Sequence, residues 1–324
     1  EAAVHNLIYF FQKADGANNC PERRVHETVF GQVSYLPTDE QTRLTYRAFF
    51  PESETTQSFN CKFIALDQIC YISVGMVVHA DEKVAKGEFE LEDLVSEKKD
   101  SKHSKPFVEG KNLGRWLPIK HNWLEWGTER APILFRRPTF IELYTVPEKI
   151  FIHRTSGEGL RSCYDDRQTL CNHTVMVCLP WNYLHGVQNK SLKKSARYRG
   201  EKPHPNLPCR EDLEAASRRF AVKYLLGVMN SSTARDFLRA HRRSNTDLYP
   251  DDWKKLPIPD VPPEQQAPIV ALVDEILTLR RANPQADIAN LEAEIDRNVA
   301  ALYGLVTEGS TPSLDLTPIE TGEN

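Results

Sequence analysis

The sequence lacks paired cysteines and any long apolar run. Its seven cysteines contain no C-x-x-C pair, and an odd, scattered set is typical of a reducing cytoplasm rather than of a disulfide scaffold. No apolar segment is long enough to cross a bilayer, and residues 1–11 lack the basic start and small-residue cleavage site of a secretory signal. We therefore expect a cytoplasmic protein with no membrane partner.

One group of possible metal ligands stands out among the cysteines. Cys163, Cys171, His173 and Cys178 fall within 16 residues. Zinc ligands usually come as close pairs, which this spacing does not provide. The pattern favours thiols on sheet strands, with a zinc site as the weaker alternative.

An initiating Met is also missing. Residues 1–6 lead at once into the strand-like segment 7–11, and a polar, irregular stretch follows. We expect residues 1–61 to be the trailing part of an upstream domain and the whole chain to be a piece of something longer.

The overall charge of −4 hides an uneven distribution. Residues 104–255 hold 27 Lys and Arg against 16 Asp and Glu, a net charge of +11, so the remainder carries −15. A basic middle between acidic ends can meet a polyanion while the rest keeps the protein soluble. We expect the basic groups to form one continuous face.

Short strands precede helices along the chain. Residues 149–154, 160–164 and 173–179, separated by turn signals, predict a three-stranded antiparallel meander. Residues 188–204 read as a flexible basic loop. Phe220 to Val228 carry a helical apolar stripe, and the proline-rich segment 256–263 reads as a linker. Segments 264–281 and 287–303, with Asp287 as the N-cap, predict an antiparallel helix hairpin.

Several segments resemble one known family. They are similar, in order, to the C-terminal specificity region of adenine-specific DNA methyltransferases of the type IIG restriction–modification and phage-defence kind, which resemble type I specificity subunits. The matching segments are Phe107–Trp116 ("G-K-(D/N)-I-x-R-(Y/W)"), Glu148–Gly157 ("E-K-I-hydrophobic-x-R-x-S-G"), Leu160–Asp166 with Asn172–Val175, Lys223–Ser231 ("K-Y-L-L-G-(L/I/V)-L-N-S"), Tyr249–Pro250 with Leu256–Pro259 ("(Y/F)-P … L-P-I-P"), Leu291–Asp296 ("L-E-x-E-I-D") and Leu302–Leu305 ("L-Y-G-L"). Each motif alone is weak, but their order is a strong signal.

The resemblance implies an α+β fold. A β-rich target recognition domain, mixed or antiparallel, would span residues 62–209, and a helical part that ends in the helix hairpin would span 210–306. Residues 307–324 would be a disordered tail. The implied partners are double-stranded DNA and the upstream methyltransferase domain.

Long basic and amide side chains are the candidates for DNA contact, because they reach phosphates and groove edges. Taken singly, each is more often a solvated surface charge. The candidates are Lys111, Asn112, Arg115, Arg136, Arg137, Arg154, Arg161, Lys190, Lys193, Lys194, Arg197 and Arg199. Trp116, Trp123, Trp126 and Trp181 could stack on bases, but a core or interdomain role is favoured.

The catalytic signature of such methyltransferases is absent from the sequence. No Asn/Asp-Pro-Pro-Tyr/Phe loop occurs, and segment 156–159 reads as a hairpin turn rather than as a Gly-rich loop for S-adenosylmethionine. We expect no cofactor in this chain and assign S-adenosylmethionine to the parent enzyme, which would be a site-specific adenine methyltransferase.

Two other functions compete with DNA recognition. Asp251, Asp252 and Lys254 superficially suggest a nuclease, but consecutive acids at a helix start favour a helix N-terminus over a two-metal site. In the other alternative, the helix hairpin docks onto another subunit and the chain is an interaction module that braces a methyltransferase. The simpler expectation is a hairpin that folds back on its own domain.

Overall fold

A four-stranded antiparallel sheet separates two hydrophobic clusters in the computed structural model. The structure describes residues 59–78, 89–129, 131, 140–154, 160–196, 198–199, 202–203, 208–241 and 247–305. The predictions for residues 1–58 and 307–324 lie outside these ranges. In the described residues the fold is α+β with antiparallel sheets and no closed barrel, as the sequence predicts.

The strands are β1 Phe63–Ala65, β2 Cys70–Val74, β3 Val95–Ser96, β4 His103–Val108, β5 Asn122–Glu125, β6 Lys149–His153, β7 Ser162–Asp165, β8 Leu170–Cys171, β9 Val175–Pro180, β10 Tyr198–Arg199, β11 Lys202–Pro203 and β12 Pro257–Pro259. The α-helices are α1 Leu66–Ile69, α2 Leu91–Leu94, α3 Glu142–Thr145, α4 Lys190–Ala196, α5 Arg210–Ser217, α6 Val222–Asn230, α7 Ser232–His241, α8 Pro250–Trp253, α9 Pro263–Ala282 and α10 Ala289–Leu302. Gly110–Asn112 and Trp181–Leu184 form 3-10 turns.

The central sheet has the order β2-β9-β6-β7. Because side chains alternate across a strand, Ile150 and Ile152 of β6 face the cluster formed with the helices, whereas Phe151 faces the other cluster. The second cluster is shared with the sheet β3-β5-β4-β8, in which β4 and β8 run parallel. The described chain is therefore layered as helices, central sheet and second sheet.

The predicted meander is wrong in its order. All three strands are present and antiparallel, but β6 pairs with both β7 and β9. The third strand thus lies beside the first, not beside the second. Strand β9 is buried along its whole length. Its position between β6 and β2 gives its backbone a hydrogen-bonding partner on each side, and the two clusters supply apolar neighbours on both faces.

The predicted linker at residues 256–263 is also wrong. Pro257–Pro259 forms β12, which is wholly buried and pairs with β1. The hydroxyls of Tyr224 and Tyr303 donate to the carbonyl oxygens of Pro259 and Pro257. Prolines are tolerated here because β12 is an edge strand of a two-stranded sheet.

Two further local predictions are corrected. Residues 188–204 contain a helix, α4, and the short hairpin β10-β11 rather than only a flexible loop. Ile288, not Asp287, is the N-cap of α10. The carboxylate of Asp287 still accepts a hydrogen bond from the backbone N–H of Ala289, 3.0 Å away. It therefore satisfies one backbone donor of the first helical turn, although it lies one residue before the N-cap.

The helix hairpin folds back on its own domain. Helices α9 and α10 bury Ile269, Val273, Ile276, Ile295 and Val299 in the same cluster as α6. Most of the apolar stripe is thus covered within the chain, and Leu279 of α9 is exposed.

The contact between α6 and α9 depends on a glycine, Gly227, which has no side chain to separate the two helices. A Cβ on Gly227 would lie 2.5 Å from Cγ2 of Ile269 and 3.3 Å from Cγ2 of Val273. Non-bonded carbon atoms do not approach each other as closely as 2.5 Å. The glycine therefore lets the two helices pack directly.

We predict that Gly227→Ala lowers the free energy of unfolding by about 1–3 kcal/mol, because overpacking outweighs the better helix propensity of alanine. Urea denaturation measures the change. In the Ile269→Ala background, where the clashing methyl is gone, the penalty should vanish. An unchanged penalty would show that the clash is not its cause.

Candidate nucleic-acid interface

The segments that resemble the specificity family converge at the free edge of β7. The backbone N–H of Trp116 donates to Ser162 O at 2.9 Å, and that of Tyr164 donates to Trp116 O at 2.8 Å. From α6, the side chain of Asn230 accepts from Ser162 N at 3.1 Å and donates to Ser162 O at 3.0 Å. The edge of the sheet is thereby closed by groups from two distant segments.

A carboxylate of α10 completes this contact. Glu292 Oε1 accepts from Trp116 Nε1 at 2.5 Å and lies 2.9 Å from Arg115 Nη1. Arg115 also donates to Asn230 O and stacks over the Trp116 ring. We call these four residues, Arg115, Trp116, Asn230 and Glu292, the sheet–helix joint. The guanidinium of Arg115, a candidate for DNA contact, is committed to this joint, and its contact with DNA stays a prediction.

Four of the candidate DNA-contact residues lie together at one end of the central sheet: Lys111, Asn112, Arg154 and Arg161. His153 N–H donates to Arg161 O at 2.9 Å where β6 ends and β7 is about to begin. The turn that contains Lys111 and Asn112 is attached beside them, because Gly110 N–H donates to Thr174 Oγ1 at 2.8 Å. We call Lys111, His153, Arg154, Arg161 and His173 the strand-end surface.

The side chains of these candidates differ in availability. The Lys111 side chain is 72% exposed and its Nζ lies 3.0 Å from Glu109. Arg154 is half-buried, 3.5 Å from Asp247, and stacks on Tyr249. Asn112 is buried, with its carbonyl oxygen accepting from Glu109 N–H. Asn112 thus shapes the turn, and Lys111 is the exposed group on it.

The lysines of α4 lie at a different corner of the sheet. Leu192 of α4 is buried in the same cluster as Tyr71 of the edge strand β2. Tyr71 pairs with Leu179, which is at the opposite end of β9 from Val175, the partner of His153. Lys190 and Lys193 are exposed there. The candidates whose side chains are described therefore lie at three places: the strand ends, the α4 corner and, for Arg115, the sheet–helix joint.

The remaining candidates stay predictions. Arg136, Arg137 and Arg197 lie outside the described residues, as do the side chains of Lys194 and Arg199.

Acidic groups of the C-terminal region neutralise part of the basic middle. Arg219 lies 2.7 Å from Asp260, and Lys223 lies 2.5 Å from Asp274. Glu292 does the same for Arg115. Charge counted along the sequence therefore overstates what the surface offers to a polyanion, because it ignores pairing between distant segments.

Two of the four tryptophans and the three strand cysteines have the structural role that the sequence favours, whereas Trp123 and Trp126 are partly exposed. Trp116 and Trp181 are each only 1% exposed. Cys163, Cys171 and Cys178 are buried on strands, and burial raises the pKa of the Cys163 and Cys171 thiols. Within the described ranges no group of three His, Cys, Asp or Glu residues could hold a metal ion.

The pair of acids that suggested a nuclease has local roles. Asp252 accepts from Tyr249 N–H at 2.8 Å, and Asp251 lies 2.8 Å from Lys254. Both therefore serve the first turn of the short helix α8, as their position at a helix start indicates.

Comparison with known proteins yields structural likenesses only. No protein family model and no curated protein matches the chain. Among solved structures, the chain is similar to the type IIL restriction-modification enzyme MmeI in complex with DNA, with a TM-score of 0.46 and 10% identity over 88% of this chain and 38% of that chain. It is also similar to a type I restriction-modification assembly (TM-score 0.36, 14% identity, 78% and 47% covered) and to the HsdS subunit from Thermoanaerobacter tengcongensis (0.32, 14%, 78% and 46%). The chain thus spans less than half the length of each.

Among the described residues, no helix is both long and apolar enough to cross a bilayer.

We predict that Glu292→Ala destabilises the chain by about 1–3 kcal/mol, because it leaves the indole N–H of Trp116 without its acceptor and the half-buried Arg115 guanidinium without its anionic partner. Glu294→Ala is the matched control: Glu294 is partly exposed and pairs only with Arg297 of its own helix, so its loss should cost less than about 0.5 kcal/mol. Thermal or urea unfolding of both variants gives the comparison. Equal losses would show that the joint contributes nothing special.

Proposed function

We propose that this chain supplies DNA sequence recognition to an adenine-specific methyltransferase of the restriction–modification or phage-defence kind. The observation that carries the proposal is the sheet–helix joint. Four segments that resemble the family, around residues 107–116, 160–166, 223–231 and 291–296, bond directly to one another there. Chance matches scattered along a chain have no reason to meet in the fold.

The strand-end surface is the part of the described chain that we assign to DNA. Its members lie in turns and at strand ends that the sheet holds in place, and Lys111 and His173 are exposed there. Lys111 is well placed for phosphates, and Arg161 can read guanine by two parallel hydrogen bonds. Two of its five members are histidines, whose ring nitrogens can exchange hydrogen bonds with DNA.

The joint would hold this surface at a fixed orientation to the helices. DNA recognition requires that base-reading groups keep their register on the duplex. In the proposal, the helices brace the recognition domain, and the upstream methyltransferase domain binds S-adenosylmethionine and carries the Asn/Asp-Pro-Pro-Tyr/Phe loop. The flipped adenine would lie in that domain.

We predict that the double charge reversal Lys111→Glu/Arg161→Glu weakens binding of a duplex by at least about tenfold near 100 mM salt. Each lost phosphate contact should also lower the slope of log affinity against log salt by about 0.9. Fluorescence anisotropy with labelled duplex DNA across a salt series measures both quantities.

Lys190→Glu/Lys193→Glu is the matched control, since it reverses the same number of charges at the other corner of the sheet. If the control loses more affinity than the test variant, the DNA surface lies at α4 and the assignment to the strand ends is wrong. If neither variant changes affinity or slope, these residues do not contact DNA.

A further inference from the structure

An open cleft lies between the β-rich part and the tip of the helix hairpin. It is bounded by the loop around residues 114–121, by the end of β7 with residues 164–167, and by the hairpin turn around residues 280–285, and its volume is about 480 Å³. This size falls within the range of small-molecule sites, roughly 300–1,000 Å³. The cleft is at the opposite end of β7 from the strand-end surface, so it is a separate place.

Guanidinium groups dominate the polar lining. Arg115, Arg167, Arg280 and Arg281 all reach the cleft, against Asp165 and Asp166. Asp165 is held by Lys149 and Thr169 and is itself buried. The cleft therefore has more positive than negative charge facing it.

Two of the arginines have a carboxylate that balances their charge, and two do not. Arg115 is paired with Glu292, and Arg281 lies 2.7 Å from Asp166. Arg167 is exposed and makes no ion pair with any described residue, and Arg280 donates to the carbonyl oxygen of Pro284 while its Nε is buried without a partner. Among the residues that the structure describes, Arg167 and Arg280 have no anionic partner.

A neutral imidazole adds a second unsatisfied group. His121 Nε2 is buried and has no hydrogen-bond partner among the described residues. Burial and, to a lesser degree, the neighbouring charge of Arg167 lower the pKa of His121. The ring is therefore neutral at pH 7 and can offer one donor and one acceptor. Unsatisfied buried polar atoms in a cleft mark places where a ligand can supply partners.

Apolar side chains make up the rest of the lining. They are Leu117, Pro118 and Ile119 of the loop and Pro284 of the hairpin turn, and the Ile119 side chain stands 71% exposed at the surface. A cleft lined by both apolar groups and guanidinium groups suits a ligand with one flat, poorly hydrated part and one anionic part. Arginine matches phosphate oxygens by two parallel hydrogen bonds.

We propose that this cleft binds a nucleoside phosphate, with Arg167 and Arg280 on the phosphate, His121 on a polar edge of the ligand and the Leu117–Ile119 wall against the base. The site is independent of the proposed DNA contacts. Phosphate could also reach the cleft as part of a DNA backbone, and binding experiments separate these two sources.

The test is calorimetric titration of the full chain with adenosine diphosphate, inorganic phosphate and adenosine. We expect the diphosphate to bind with a Kd below about 1 mM and each of the other two to bind at least tenfold more weakly. Arg167→Ala/Arg280→Ala should weaken diphosphate binding at least tenfold. Ile119→Glu, a change at an exposed position that does not threaten folding, should do the same by placing a carboxylate at the rim.

Arg218→Ala is the control, since Arg218 is an exposed arginine at the end of α5, away from the cleft lining, and it should leave binding unchanged. Absence of diphosphate binding up to about 10 mM, or unaltered binding in both cleft variants, overturns the proposal. Equal affinity for inorganic phosphate overturns the nucleoside part of it. Loss of duplex affinity in the cleft variants without any diphosphate binding assigns the cleft to the DNA backbone instead.

Discussion

The described structure depends on how one carboxylate, Glu292, joins the helices to the sheet. It accepts from the Trp116 indole and from Arg115, while Asn230 closes the free edge of β7 beside it. Without these groups, β7 would present open backbone donors and acceptors next to a charged loop. Hydrogen bonds that involve charged groups are among the stronger ones in proteins. The joint therefore fixes the angle between the two parts of the chain.

The strand β7 at this joint also lies between the two places that we propose as binding surfaces. Since β7 is short, with the strand-end surface before its first residue and the arginine-lined cleft beyond its last, both are held by the same strand. The four extended residues of β7, Ser162–Asp165, separate the two places by a rise of about 13 Å. A duplex and a small anionic ligand could thus be bound at the same time without sharing a side chain.

Much of the fold follows from local patterns, but pairing between distant segments does not. The apolar stripes of α6, α9 and α10 are visible at helical spacing, and the hairpin is found where it is predicted. The burial of Pro257–Pro259 could not be predicted from local patterns. The prolines themselves give no sign of the partner strand β1, which lies almost two hundred residues earlier in the chain. For the same reason charge counting predicts a continuous basic face, whereas Asp260, Asp274 and Glu292 return from the C-terminal region to neutralise it. No sequence motif marks the cleft, because its two uncompensated arginines, Arg167 and Arg280, come from segments more than a hundred residues apart.

The central claim is that the strand ends, not the α4 corner, face DNA. Photo-crosslinking tests it most directly, with a photoreactive amino acid introduced in place of His173, which is exposed between β8 and β9, or in place of the exposed Gln188 before α4. With a duplex that carries the recognised sequence, the chain substituted at position 173 should crosslink to DNA and the chain substituted at position 188 should not. Crosslinking from position 188 alone would contradict the account.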